Sequence, residues 1–461
     1  MKAESTGNGF STIEIIIAFA IITVSLTMAT SISFISQNLL LDSQISLNSI
    51  SNIESKLRSE NSFSTTSTYG IYNEQVSNLY ISNCVKKTTF LDTWKMNGVL
   101  KSIYFSQIFT DTSYFSKILE PCDAPEFSSE EWKDRQEINY SIDVENVTDI
   151  DIVGDFAFVS SNTDALEDSD LYIFDIKNNY KKISELNVGE GIFSIDATSD
   201  FVYAVANSTS SQFLIIDVQN KNAPLFVSKR NLFGVWPEGS FPQGRSVRYF
   251  DGRVYVGTKE TAGPEFHIFN VLNPSNPYEI GFIELSHNIN DIWIKDNKAY
   301  LATSADTKEL IVIDVANPSG MFEVGFFNAG NSSVNDKDAT SIYVIGDILY
   351  LGRKRGAILN PEFYFVDISS PSNPKKIGEA NVALSGLNSY ISSIVVSNDI
   401  AFLSTTDMTK SLIALDVSDP LNVKEIFLDN FNDSLSSIDI QNGVLYGASV
   451  LNQKIYEIYR K

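Results

Sequence analysis

Histidine and cysteine are almost missing from this chain: 461 residues hold two of each. That excludes a cysteine-rich zinc module and leaves a histidine-based active site few candidates. Cations are scarce too. Lys and Arg number 34 against 57 Asp and Glu, a formal net charge of −23. A surface of that sign repels polyphosphate, so nucleic acid is not an expected partner. Proline is absent before Pro121. No GxSxG, HExxH, Walker A or GxGxxG context occurs, so the common signatures of hydrolase, zinc protease and nucleotide chemistry are lacking. Carboxylates are plentiful, so a glycosidase pair stays open. What the chain does have is apolar material: 43% of its residues are apolar and 12% aromatic, which rules out a wholly disordered protein.

The composition is uneven. The first 41 residues carry three charges, Lys2, Glu4 and Glu14. From Ile15 to Leu26 the run is almost wholly apolar, and Phe10 to about Phe34 is long enough to span a bilayer, which takes roughly 20 apolar residues. Leu39, Leu40, Ile45, Leu47, Ile50, Ile53 and Leu57 continue at three- and four-residue spacings, predicting one helix from Phe10 to about Arg58, roughly 70 Å long at ~1.5 Å per residue.

A secretory signal places its small-residue cleavage site after the apolar run. Here Gly9 stands before it, followed by Phe10, Ser11, Thr12, Ile13 and Glu14. This resembles the prepilin signal of type IV pilins and pseudopilins, G-F-S/T-x-I/L/V-E, over about the first 55 residues. The resemblance implies cleavage between Gly9 and Phe10, N-methylation of Phe10, and a filament-assembly role for Glu14, whose carboxylate would pair with the N-terminal amine of a neighbouring subunit. A lone carboxylate in an apolar helix is costly and is by default a functional flag. Many major pilins kink this helix with a proline at mature position 22, where this chain has Ser31. That departure favours a minor pilin or pseudopilin. The other reading is a plain membrane anchor.

Residues 59–135 show no clean period but many aromatics, among them Tyr69, Tyr72, Tyr80, Phe90, Trp94, Tyr104 and Phe109. They predict a small mixed head or collar of short helices and strands. Both cysteines lie there. On an oxidising exterior a Cys84–Cys122 bridge would close a loop of 39 residues, 84 to 122 inclusive, stabilising by roughly 3–4 kcal/mol in the loop-entropy model; otherwise both are free thiols. The acidic stretch Ser128–Arg135 reads as a linker to the next domain.

From about residue 136 the chain repeats. SIYVIGDILYLG, FYFVDISSPSNP and KKIGEA make one unit (341–380), and DIWIKDNKAYLAT, ELIVIDVANPSG and MFEVGFF another (291–327). In each, an acid or amide closes an apolar strand: Asp175, Asp217, Asn270, Asp314, Asp367 and Asp416, with Tyr459 in the equivalent place of the last. Asp caps neighbouring amides, and the following prolines fix φ and stop the strand. Period-two alternation with four strands in ~47 residues fits a β-propeller blade. VIDVANPSG, FVDISSPSNP and ALDVSDPLN resemble the LVIVD-repeat propellers, which implies architecture and no particular activity. Seven units are counted. The last, from Ser436, lacks its outer strand, and QEINYSID (136–143) is an orphan strand ahead of the first. The orphan is therefore expected to complete blade seven and close the ring.

Candidate ligand sites fall in the loops expected to collect on one face. In 231–245, Trp236 and Phe241 among Gly and Pro could form a platform for a sugar ring, or a hydrophobic plug. Arg353, Lys354 and Arg355 form a basic cluster suited to an acidic glycan, or a solvated turn. Asp164, Glu167, Asp168 and Asp170 are oxygen ligands of the kind Ca²⁺ takes, but without EF-hand spacing. No metal or other cofactor is otherwise expected. His267 and His287 read as structural.

The whole predicts a mainly β protein: a prepilin leader (1–9), a pilin-type transmembrane or filament-core helix (10–58), a small mixed head (59–135), and a seven-bladed β-propeller (136–461). The expected role is a minor type IV pilin-like surface protein that displays a binding propeller as an adhesin or filament tip, without enzymatic activity. Its expected partners are the prepilin peptidase, other pilin subunits, the membrane, and a surface glycan or protein. It would span the cytoplasmic membrane before assembly and then sit on the cell surface or pilus, propeller outside. The alternatives are a membrane-tethered enzyme acting on glycans and a pseudopilin-type assembly or secretion factor.

Overall fold

A computed structural model describes four strands between residues 67 and 109 by their backbone, and residues 129–460 except 164–167, 190, 207, 209–210, 233–242, 330–337, 357–360 and 387. Gly9, Phe10, Glu14, Cys84 and Cys122, and with them the long helix and the disulfide, lie outside the described residues. Among the described residues no helix is long and apolar enough to cross a membrane. The chain divides into two units, 1–126 and 127–461.

In the first unit the described strands Ser67–Tyr69, Tyr72–Ser82, Val85–Met96 and Val99–Phe109 form one antiparallel sheet in sequence order. Three of them run 11 or 12 residues, longer than the short elements expected from the aromatic-rich sequence.

The second unit is a seven-bladed propeller. Each blade is a four-stranded antiparallel sheet with its strands in order from the inside outwards. The innermost strands, such as Val147–Val153, Ala339–Ile345 and Leu435–Gln441, surround the axis. Second and third strands are covered on both sides by neighbouring blades, which is why they read as unbroken apolar runs such as Leu310–Asp314 (LIVID) and Phe363–Asp367 (FYFVD). The core is divided accordingly. Between blades four and five, for example, Leu310 and Val312 pack on Ile342, Leu351 and Tyr364.

All six acids and amides singled out in the repeats end a third strand. Five cap the amide two residues on, for example Asp367 Oδ1 accepting from Ser369 N at 2.9 Å and Asp314 Oδ1 from Ala316 N at 2.9 Å. In four blades the turn between first and second strands puts two consecutive residues at positive φ, as in Asp251-Gly252 and Asn442-Gly443, the mirror-image turn whose twist suits a hairpin.

The ring closes as the orphan strand requires. Gln136–Ser141 pairs antiparallel with the last strand, Lys454–Tyr459, from Tyr459↔Gln136 to Lys454↔Ser141. One further element completes the closure. In blades one to five the fourth position of the outer strand is Ser or Gly, because the third-to-fourth turn of the next blade lies on it. Ser228 Oγ donates to Pro274 O at 2.8 Å, and a Cβ on Gly325 would stand 2.5 Å from Pro371 O. Blade seven offers no such turn to blade six, since its own outer strand comes from the other end of the domain. In blade six the position is Phe427, and a short helix, Ser129–Lys133, places Trp132 over it. Trp132 is 3% exposed, edge-on to Phe402 at 4.6 Å. Arg135 lies over Phe427 at 3.9 Å and pairs with Asp429. The stretch expected to be a linker is thus part of the propeller's packing.

Candidate functional site: the axial channel

The seven innermost strands superpose position by position. After a bulge following the first residue, the fifth positions and all third positions but Ser341 line an axial cavity of about 380 Å³, together with second-position residues such as Thr148, Arg245 and Asn290. The third position is serine in five blades and Asp149 or Asp291 in the other two. The fifth carries, from blade seven onwards, Asp439, Asp151, Asp196, Arg248, Trp293, Tyr343 and Val395. Three carboxylates on adjacent blades thus face two aromatic rings across the axis, with a cation between the two sectors.

Backbone amides of neighbouring blades hold each carboxylate. Asp151 Oδ2 accepts from Ala197 N at 2.7 Å, Asp196 Oδ2 from Tyr249 N at 2.8 Å, and Asp439 Oδ2 from Ile152 N at 2.8 Å. Asp291 bridges likewise to Ile342 N at 2.8 Å and Asp149 to Ile195 N at 3.1 Å. These bonds staple blade to blade and fix the carboxylates in place. Arg248 leans away from the acids: its guanidinium lies 4.9 Å from the Trp293 ring, its Nε donates to Ile292 O at 3.2 Å, and it stands 3.9 Å from Asp196. Tyr343 packs on Trp293 at 4.9 Å.

Burial, the leading cause, pushes all five carboxyls upward; Asp291 and Asp439 reach about 6. Asp151 is raised well above the ordinary range by burial and then by Asp149, Asp196 and Asp439. Burial works against the charge on Arg248, but Asp196 and Asp291 more than offset it and raise its pKa. The cavity therefore combines fixed, poorly solvated acids with one stacked cation and an aromatic wall.

The face that carries the second-to-third-strand loops and the blade links holds a second repeated device. A buried polar residue just before the third strand caps the link that leaves the blade. Glu265 Oε2 accepts from Leu285 N and Ser286 N at 2.8 and 2.9 Å, Glu362 Oε2 from Val382 N at 3.1 Å, and Gln212 Oε1 from Leu232 N at 3.0 Å. Asp170 belongs to this set: buried, it accepts from Val188 N at 2.8 Å and Gly189 N at 3.2 Å. Of the calcium candidates, Asp170 is therefore turned into the fold, Asp168 is exposed, and Asp164 lies outside the described residues. Among the described residues no group of three or more His, Cys, Asp or Glu could hold a metal.

The basic cluster is dispersed. Arg353 is 1% exposed and pairs with Glu309, itself buried, at 3.3 Å, so it cannot meet a ligand at the surface. It ends the second strand of blade five, a position that points between blades. Arg355 turns back to donate to Leu384 O. Lys354, partly exposed like Arg355, is bridged through its backbone to Tyr390. Trp236 and Phe241 lie outside the described residues. His267 is buried, with Nδ1 2.6 Å from Glu279 Oε1 and Nε2 2.8 Å from Pro264 O, a structural tie. The channel residues went unpredicted because no motif carries them; lining up the innermost strands of the seven units would have exposed them.

These features define a seven-bladed β-propeller of the binding type. The LVIVD repeat model matches residues 288–329 and 336–382, which span the fourth and fifth blades. Among curated proteins none matches the chain. Among solved structures, the Cps50 (Swd1) β-propeller domain of Myceliophteria thermophila is 9% identical with a TM-score of 0.51, covering 71% of this chain and 100% of that one. Virginiamycin B lyase from Staphylococcus aureus is 10% identical with the same score and the same coverages. At such identities the likeness concerns the fold alone.

Proposed function

We propose that the protein is a minor type IV pilin-like surface component that carries its propeller as a binding domain, an adhesin or filament tip, and performs no turnover. The observation that carries this reading is where the chain joins the ring. Gln136 starts its strand opposite Tyr459, at the edge where third strands end. The helix Ser129–Lys133 occupies the place of a third-to-fourth turn. The chain thus arrives on the face opposite the long loops and blade links. A tether there leaves the loop face and the channel mouth on that side directed outwards.

The Gly9-Phe10 signal with Glu14 supports assembly through an N-terminal helix, processed by a prepilin peptidase and paired with other pilin subunits in or beyond the membrane. A propeller of this size suits a tip or low-copy position better than every position of a filament. The test is the intact mass of the mature N-terminal peptide from the native cell envelope. A peptide beginning at Phe10 with one added methyl is expected. A peptide beginning at Met1 overturns the pilin route and leaves a tethered propeller.

A further inference from the structure

We infer that the axial channel binds an alkylammonium group, the head of a lysine side chain or of a small diamine; the inference rests on the binding-domain reading above. Three observations converge. The cavity, about 380 Å³, is within the range of small-ligand sites. Its fifth-position ring is divided, with Asp439, Asp151 and Asp196 on three adjacent blades and Trp293 and Tyr343 across the axis from Asp151.

The third observation concerns unused acceptors. Among the described residues Asp151 Oδ1 and Asp196 Oδ1 accept no hydrogen bond, although the Oδ2 of each is fixed by a neighbouring blade. Neither lining arginine fills this role: Arg248 stands 3.9 Å from Asp196 and is drawn over Trp293, and Arg245 donates to Asn290 Oδ1 at 3.3 Å. A primary ammonium brings three donors in a compact head. Its alkyl stem would lie along the side chains of Trp293, Tyr343 and Val395, with Asp291 one layer away on the strand of Trp293. An anion is disfavoured by the acids, and a bare divalent metal finds no suitable cluster of ligands among the described residues.

The experiment is calorimetric titration of the full-length chain with cadaverine at low salt, beside 1,5-pentanediol as the neutral isostere. Saturable one-to-one binding of cadaverine, and none of the diol, is expected. Asp151→Asn with Asp196→Asn should weaken binding at least tenfold. Arg248→Gln, which removes the competing positive charge, should tighten it at least threefold, a gain that a damaged fold would not produce. A peptide ending in lysine, compared with its ε-acetylated form, separates the sources. Binding of the free-lysine peptide points to a polypeptide ligand, and binding of cadaverine alone to a small amine; either supports the assignment. No saturable heat with cadaverine or peptide, equal binding of the diol, or unchanged affinity in the double variant overturns it. None of these results depends on processing at Gly9, so a failure here and a failure of the pilin route are told apart.

Discussion

Arg353 Nη2 lies 3.3 Å from Glu309 Oε1 across the seam between blades four and five, and neither side chain is more than 1% exposed. Glu309 also accepts from Ala329 N at 3.0 Å through Oε2, and Arg353 from its other branch donates to Tyr364 Oη at 3.3 Å. An ion pair so deep contributes little against a well-packed apolar pair, but breaking it leaves one charge buried and unmatched. Arg353→Met should therefore lower unfolding free energy by about 3–5 kcal/mol, read from urea midpoints. Lys354→Ala, a partly exposed neighbour, should shift it by less than about 0.5 kcal/mol. Equal effects at the two positions would return Arg353 to the surface.

The closure makes its own prediction. Trp132→Ala removes an indole packed on Phe402 and Phe427 and should cost about 3–5 kcal/mol, although the residue precedes the first propeller strand. Unfolding midpoints unchanged by this substitution would show that the helix Ser129–Lys133 is not part of the ring.

Glycine substitutions separate two mechanisms. At Gly281 and Gly378 a Cβ would stand 2.0 and 2.1 Å from the carbonyl oxygens of Pro318 and Pro420, so alanine must push a neighbouring blade's turn away. Gly346 has φ +56° and nothing within 4 Å of its Cβ position, so alanine there meets only backbone strain, about 1 kcal/mol. Thermal midpoints should fall more for Gly281→Ala and Gly378→Ala than for Gly346→Ala.

Stability should fall as pH rises from about 5 to 7.5. Asp291 and Asp439 are pushed to about 6 and Glu265 to about 7, in each case mainly by burial. The folded ring keeps protons that the unfolded chain, with ordinary carboxyl pKa values near 4, has already released in that window. The stabilisation is complete below the unfolded value and is lost through the folded one. Asp407 acts in the opposite direction. Burial would raise it, but hydrogen bonds from Ser385 and Thr409 hold it down at about 2, so its contribution is lost as pH drops below 4. Thermal midpoints several degrees higher at pH 5.5 than at 7.5, and declining again below 4, are expected. A flat profile from 5.5 to 7.5 would contradict the burial of these carboxyls.

Much of the ring was legible because its cues are local and repeated. The acid or amide that ends six of the third strands, followed in five of them by a proline within a few residues, marks the blades, and the orphan QEINYSID matches a last unit short of one strand. The channel was not legible in the same way, since Asp151, Asp196 and Asp439 sit in unremarkable strands and meet only when seven segments are brought to one axis. Arg353 misled for a related reason. Three consecutive basic residues suggest a surface patch, yet a strand end fixes each side chain separately. At the same position the other blades have Ser161, Ala206, Thr258, Thr303, Thr405 and Ser449, all buried, and Arg353 fits that slot only because Glu309 faces it. The helix at Trp132 had a signal too, in the replacement of Ser or Gly by Phe427.

Because the ring's outermost strand in blade seven is also its first, the domain has a direction of mechanical load. A pull on the chain ahead of Ser129 reaches Trp132 and Arg135 before it reaches the pairing of Gln136–Ser141 with Lys454–Tyr459. Tension is then borne by blade six, through Phe402, Phe427 and Asp429, while the closing hydrogen bonds are shielded from being peeled one at a time. A surface domain held by one strand under flow would be sheltered by this arrangement, and the tryptophan and the arginine act as its strain relief.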